Sequence, residues 1–182
     1  IEYPNLVVFN LYSQAGSKSS PGQQLKWLHY SRCRYDILQT IHDLIRSRPE
    51  SDSRKKPMCQ GKQVIVCGDF NFHLDGGLDE WPEMAMIQQY KSDGFIDSFR
   101  KVHSDAQKVP GFTEDTDLNM MRWNQKMIEK KYRFDAILYK GHLSPKKSEM
   151  IGLEYECLSP EDSKWFVENI SEAKEGQRDL LA

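Results

Sequence analysis

Val64-Ile65-Val66-Cys67-Gly68-Asp69-Phe70-Asn71 is the stretch that decides the fold. Its apolar first half reads as a buried strand halted at Gly68. Asp69 and Asn71 then alternate with Phe70, which predicts both polar side chains on one side and Phe70 returning to the core. A carboxylate beside a neutral amide at a strand end suits a water-activating base next to a donor for a phosphoryl oxygen. The same two residue types also satisfy ordinary turns, so the structural reading stands beside the catalytic one.

Working outward, Leu6-Val7-Val8-Phe9 reads as a second buried strand, followed by polar turn material from Ser13 to Gly22. Between the strands, Trp27 to Arg46 places Ile37, Leu38, Ile41, Leu44 and Ile45 at three- and four-residue spacing, which predicts an amphipathic helix. Residues 49–62 form a polar loop. Trp81–Lys91 and Gly94–His103 are expected to be short helices, the second turning Phe95, Ile96, Phe99 and Val102 inward. Phe112–Lys131 reads as irregular, Phe134–Tyr139 as a third strand and Lys164–Ile170 as a fourth, with a charged tail over 171–182. Strand, helix, strand in this order predicts a layered α/β fold, one domain over residues 1–170.

Composition narrows the function classes. The 182 residues are 38% hydrophobic and 29% charged, with four Trp, eight Tyr and eight Phe, enough for a core and too much for a disordered chain. No apolar run approaches the roughly 20 residues of a transmembrane segment. The net charge is −2, but residues 1–62 carry +5 and residues 63–182 carry −7. That asymmetry fits a phosphate-bearing substrate near an acidic pocket, or a basic loop at Arg54-Lys55-Lys56 plus acidic surface helices. Cys33, Cys59, Cys67 and Cys157 show neither C-x-x-C spacing nor a His at zinc-finger distance. They are expected to be reduced, which favours an intracellular, nuclear or cytoplasmic, location. A chain that opens at Ile1 near a strand is expected to be a piece of something longer.

V-I-V-C-G-D-F-N resembles the strand motif of the endonuclease/exonuclease/phosphatase superfamily. The likeness extends upstream to Leu6–Gly16, with Tyr12 where the family carries a residue facing the scissile phosphate, and on to Tyr30, Arg32 and Arg34. Downstream it takes in Thr113 to Asn119, a T-x-D-T-x-x-N spacing, and Arg133-Phe134-Asp135. The combination is most similar to tyrosyl-DNA phosphodiesterases and abasic endonucleases. The resemblance implies a deoxyribonuclease I-like four-layer fold, a two-sheet β-sandwich flanked by helices and incomplete at the N-terminus.

It also implies Mg2+- or Mn2+-dependent phosphodiester hydrolysis on nucleic acid. Asp69 would activate water, Asn71 and Tyr12 would meet the phosphate, and Asp135 would orient a histidine. Thr113, Asn119 and Arg34 would bind substrate, and Asp162 would hold the metal. Two departures qualify the implication. Ser163 stands where the family's S-D-H motif places histidine, and the strands bearing the family's asparagine and glutamate would precede Ile1. Half a sandwich would leave an apolar sheet face uncovered. A superfamily domain without turnover, serving as a scaffold or binding module, and a lipid or inositol phosphatase are the alternatives. Elsewhere, His29, His42 and His103 read as unpartnered helix residues. His73 and Asp75 read as surface groups within reach of a metal, and Asp115, Asp117 and Asn119 as a solvated acidic loop.

Overall fold

A computed structural model describes residues 1–15, 24–46, 59–115 and 131–150. The chain divides into two units. The first comprises Ile1–Glu114 and Lys131–Glu149, and the second falls almost wholly outside the described residues. The fourth strand expected at 164–170, the tail, Asn119, Asp162, Ser163 and Cys157 all lie there too.

The first unit is built on a five-stranded sheet. β1 (Glu2–Tyr3) pairs antiparallel with β2 (Leu6–Tyr12), which runs parallel to β3 (Gln63–Asp69). A parallel pair cannot be joined by a tight turn, and α1 (Gln24–Arg46) lies within the crossover between these two strands. After β3 come α2 (Met84–Ser92), β4 (Ile96–Asp97) and α3 (Ser98–Val102). β5 (Glu114–Asp115), inside the stretch expected to be irregular, and β6 (Lys131–Tyr132), at its end, form a separate two-stranded ribbon. Last, β7 (Asp135–Lys140) inserts antiparallel between β3 and β4, giving the order β1-β2-β3-β7-β4. The layered α/β reading therefore holds for this unit. A second large sheet is not among the described residues.

One face of the sheet, carrying Val7, Leu11, Val64, Val66, Ala136 and Leu138, belongs to the core that Leu38, Met86, Ile87, Tyr90 and Phe95 complete. The opposite face carries Val8, Ile65 and Cys67, all partly exposed, and Ile137, which is half exposed. Cys67, expected to be buried, thus sits on the more open side.

The main helix differs from its expected orientation. The buried stripe of α1 is Trp27, Ser31, Arg34, Leu38 and His42, while Leu44 is exposed and Ile37, Ile41 and Ile45 are half-buried. Two polar side chains enter the interior because carboxylates meet them at either end of α2. Arg34 Nε donates to Glu83 Oε1 at 2.6 Å, and His42 Nε2 meets Asp93 Oδ2 at 2.7 Å. Glu83 and Asp93 are the residues that cap α2. Between these clamps the Tyr90 hydroxyl donates to the Leu38 carbonyl at 2.9 Å. Burial pushes the Tyr90 phenol well above its usual range. The second helical region also departs from expectation. Phe95 and Phe99 are buried, but Ile96 and Val102 are exposed, because Ile96-Asp97 pairs with β7 before α3 begins.

Candidate functional site

The end of β3 is shaped by Gly68. Its φ of 125° favours glycine, and a Cβ there would collide with the Leu11 carbonyl oxygen of β2. This close approach brings the ends of β2 and β3 into lateral register. Tyr12 partners Asp69 on one side, and Asp135 partners it on the other. Paired positions on neighbouring strands project to the same face, so Tyr12, Asp69 and Asp135 form one row across β2, β3 and β7. Tyr12 is 76% exposed, Asp135 is exposed and Asp69 is half-buried.

Asn71 joins the row by a different route from the expected alternation. Its φ is 54°, a left-handed conformation that asparagine tolerates better than most residues. The resulting turn lets Asp69 Oδ1 accept from the Asn71 backbone N–H and Oδ2 accept from Asn71 Nδ2, both at 2.8 Å. Nδ2 also donates to the Ser13 carbonyl at 2.8 Å. Both amide hydrogens of Asn71 are thereby committed within the protein. The expected role as a donor to a phosphoryl oxygen gives way to that of a clamp on Asp69. Phe70 behaves as expected and is fully buried.

Ser13, which sequence reasoning passed over, locks the turn from the side of β2. It is buried, its backbone N–H donates to the Asp69 carbonyl at 2.9 Å, and its hydroxyl donates to the Phe70 carbonyl. Thr113 locks the β7 side. Its Oγ1 accepts from the backbone N–H groups of Phe134 (2.9 Å) and Asp135 (3.1 Å). An oxygen accepting twice still has its own proton to donate, and Thr113 is exposed.

The electrostatics favour a basic Asp69. Burial raises its pKa, the Asn71 hydrogen bonds oppose that rise, and the negative charges of Asp135 and Glu114 reinforce it, leaving the carboxyl above its ordinary value.

The remaining candidates fall elsewhere. Arg34 is fully buried in its pair with Glu83, and its Nη1 donates to the Gln14 carbonyl at 3.0 Å, so it presents no surface to a substrate. His73 and Asp75 are structural rather than surface decoration. His73 Nδ1 accepts from the Arg133 backbone N–H at 3.1 Å, and Asp75 accepts from both Arg133 (Nε 2.8 Å) and Arg100 (Nη2 2.7 Å). Arg133 is itself buried and donates on to Asp97 Oδ2 at 2.8 Å. This arginine of the R-F-D element therefore braces the turn from beneath. Of the other histidines, His42 has Asp93, and His103 Nε2 lies 2.7 Å from the Ser148 carbonyl. Among the described residues, no three His, Cys, Asp or Glu groups converge as a metal site.

Neither a protein-family model nor a curated protein matches the chain. Among solved structures it is similar to truncated Caenorhabditis elegans TDP2, with 21% identity and a TM-score of 0.47. The similarity covers 84% of this chain and 48% of that one, so the chain spans about half the length of the structure it matches. No helix among the described residues is long and apolar enough to cross a membrane.

Proposed function

We propose that this chain hydrolyses phosphodiester bonds, nucleic acid being the substrate class, with Asp69 taking the proton of the attacking water. One observation carries the reading: Tyr12, Asp69 and Asp135 stand in a single exposed row with Asn71 clamped beside them. A carboxyl held above its ordinary value is a better proton acceptor near neutral pH than a free one. Asn71 fixes both oxygens of that carboxylate, and so orients the lone pairs that meet the water. The Tyr12 phenol and the outward Thr113 hydroxyl supply neutral donors to the phosphate oxygens. Asp135 raises the basicity of Asp69.

The cation the reaction would use is Mg2+ or Mn2+. It would lower the cost of negative charge on the phosphate and the leaving oxygen. The described residues do not by themselves assemble a metal site, so every step above rests on the chain's own groups. The enzyme works inside the cell, in the nucleus or cytoplasm.

The test is hydrolysis of single-stranded DNA, abasic duplex, 5′-tyrosyl DNA and RNA, with Mg2+, with Mn2+ and with chelator. Cleavage that requires the cation supports the reading, and the preferred substrate names the class. A second reading is favoured by a specific observation: both Asp69 oxygens are satisfied inside the turn, as in a purely structural Asx turn. On that reading, with Ser163 replacing the motif histidine, the domain is a scaffold or binding module, and the whole panel stays uncut.

A further inference from the structure

The outer side of α1 carries two metal-ligating side chains that the Asp69 row does not use. His29 Nε2 and Cys33 Sγ stand 3.7 Å apart, one helical turn from each other. Both are open to solvent. His29 is exposed, Cys33 is partly exposed, and the Cys33 thiol is free of any disulfide. A helix histidine expected to be unpartnered thus has a thiol beside it. A thiol is a weak hydrogen-bond donor, so the contact itself holds the pair only loosely.

The separation matches the bite of a zinc ion. Zn2+ takes thiolate sulfur at about 2.3 Å and imidazole nitrogen at about 2.0–2.1 Å, so two such ligands at a tetrahedral angle stand about 3.6 Å apart. The pair therefore reaches one ion with the backbone as it is. Sulfur and imidazole nitrogen are donors that suit Zn2+, whereas Mg2+ and Ca2+ prefer oxygen. The helix also holds the pair in place. Arg34, the residue after Cys33, is fully buried against Glu83, and Trp27 and Leu38 are buried on the same side of α1, which fixes the helix about its axis. Arg32 is the cation beside the pair, and its charge is met by Asp36 at 2.8 Å.

We propose that His29 and Cys33 form a zinc site on α1. Two side chains do not close a coordination shell by themselves, and water completes it. On binding, the Cys33 S–H bond breaks, the proton leaves to solvent and the sulfur lone pair forms the Zn–S bond, with no electron transferred. That lone pair is the one with which the thiolate would attack alkylating agents or oxidants, so occupancy shields Cys33. The site shares no residue with the Asp69 row and stands whether or not that row hydrolyses phosphodiesters.

The experiment is alkylation of the reduced chain by iodoacetamide over a titration with Zn2+, each cysteine being read separately by peptide mass mapping. The expected result is saturable protection of Cys33 by Zn2+, and none by Mg2+ at the same concentrations. His29→Gln, at an exposed position, should raise the Zn2+ needed for half-protection of Cys33 at least tenfold, the loss that removing even an outer partner of a ligand produces. His29→Cys keeps a zinc ligand at the same place on the helix and should restore the protection, which a merely structural role for His29 would not do. Thermal melts of the variants confirm that the fold is kept. Equal protection of Cys33 in His29→Gln, protection by Mg2+, no rescue by His29→Cys, or no protection by Zn2+ in excess over the chain would overturn the assignment.

Discussion

Asp69 ends β3 where Asp135 begins β7, and the two carboxylates stand directly opposite each other on the antiparallel ladder. Directly opposed residues hold their Cα atoms within about 5.5 Å, close enough for the Asp135 charge to disfavour ionisation of Asp69. Burial is the first cause of the raised Asp69 pKa, and Asp135 adds to it against the hydrogen bonds from Asn71.

The first prediction follows from that sign. Asp135→Asn removes a neighbouring negative charge, so the Asp69 carboxyl falls toward its ordinary value. The acid limb of the pH–rate profile for kcat/KM should move to lower pH, because a base with a lower pKa stays ionised further into acid. An unmoved limb would mean that Asp69 is not the group being titrated.

Gly68→Ala tests the geometry of the row. The substitution meets both a φ of 125° and the Leu11 carbonyl. Chemical denaturation should show a loss of more than about 3 kcal/mol, beyond an ordinary surface change, because neither clash is relieved by rotating a side chain.

Arg34 and Glu83 test the reassignment of a residue expected to bind substrate. Both side chains are fully buried. Arg34→Met alone should cost about 3–5 kcal/mol by leaving a buried carboxylate unpaired, whereas Arg34→Met with Glu83→Leu should return to within about 1–2 kcal/mol of wild type. Denaturant midpoints of the three proteins decide it. Equal stability of the single variant and wild type would contradict a structural role.

Asp75 governs stability in acid. Burial alone would raise its pKa, but hydrogen bonds from Arg133 and Arg100 hold the carboxyl far below its usual range. A depressed folded-state pKa contributes stability that is fully present above the unfolded value, near 3.9, and is lost as pH falls below it. Asp75→Asn should therefore cost about 1–2 kcal/mol near neutral pH, since Arg133 keeps Asp97, and flatten the decline in stability below about pH 4. Melting temperatures across that range read both effects.

What was legible in the sequence is what local pattern encodes. The runs around Val7, Val66 and Leu138 read as strands because β-sheets bury apolar residues continuously, and Gly68-Asp69 marked a strand end because that residue order suits a tight turn. The orientation of α1 was not legible. Counting apolar residues favoured Ile41 and Leu44, while the interior took Arg34 and His42, whose carboxylate partners lie 49 and 51 residues away. Asn71 was placed in the site for the wrong geometric reason, since alternation presumes an extended residue and its φ is 54°. Ser13 gave no signal at all, because its contribution is mostly a backbone carbonyl and amide placed by the pairing of β2 with β3.

The measurement that bears most directly on Asp69 as the proton acceptor is the cleavage rate of the best substrate of the panel by wild type and Asp69→Ala. Thermal melts accompany both proteins. A positioned general base contributes on the order of 10²- to 10⁴-fold, so the account predicts a loss of that size or complete silence, with the cation-dependent wild-type rate intact and the fold of the variant retained. Equal rates in the two proteins, or no cleavage by wild type with any cation, would contradict it.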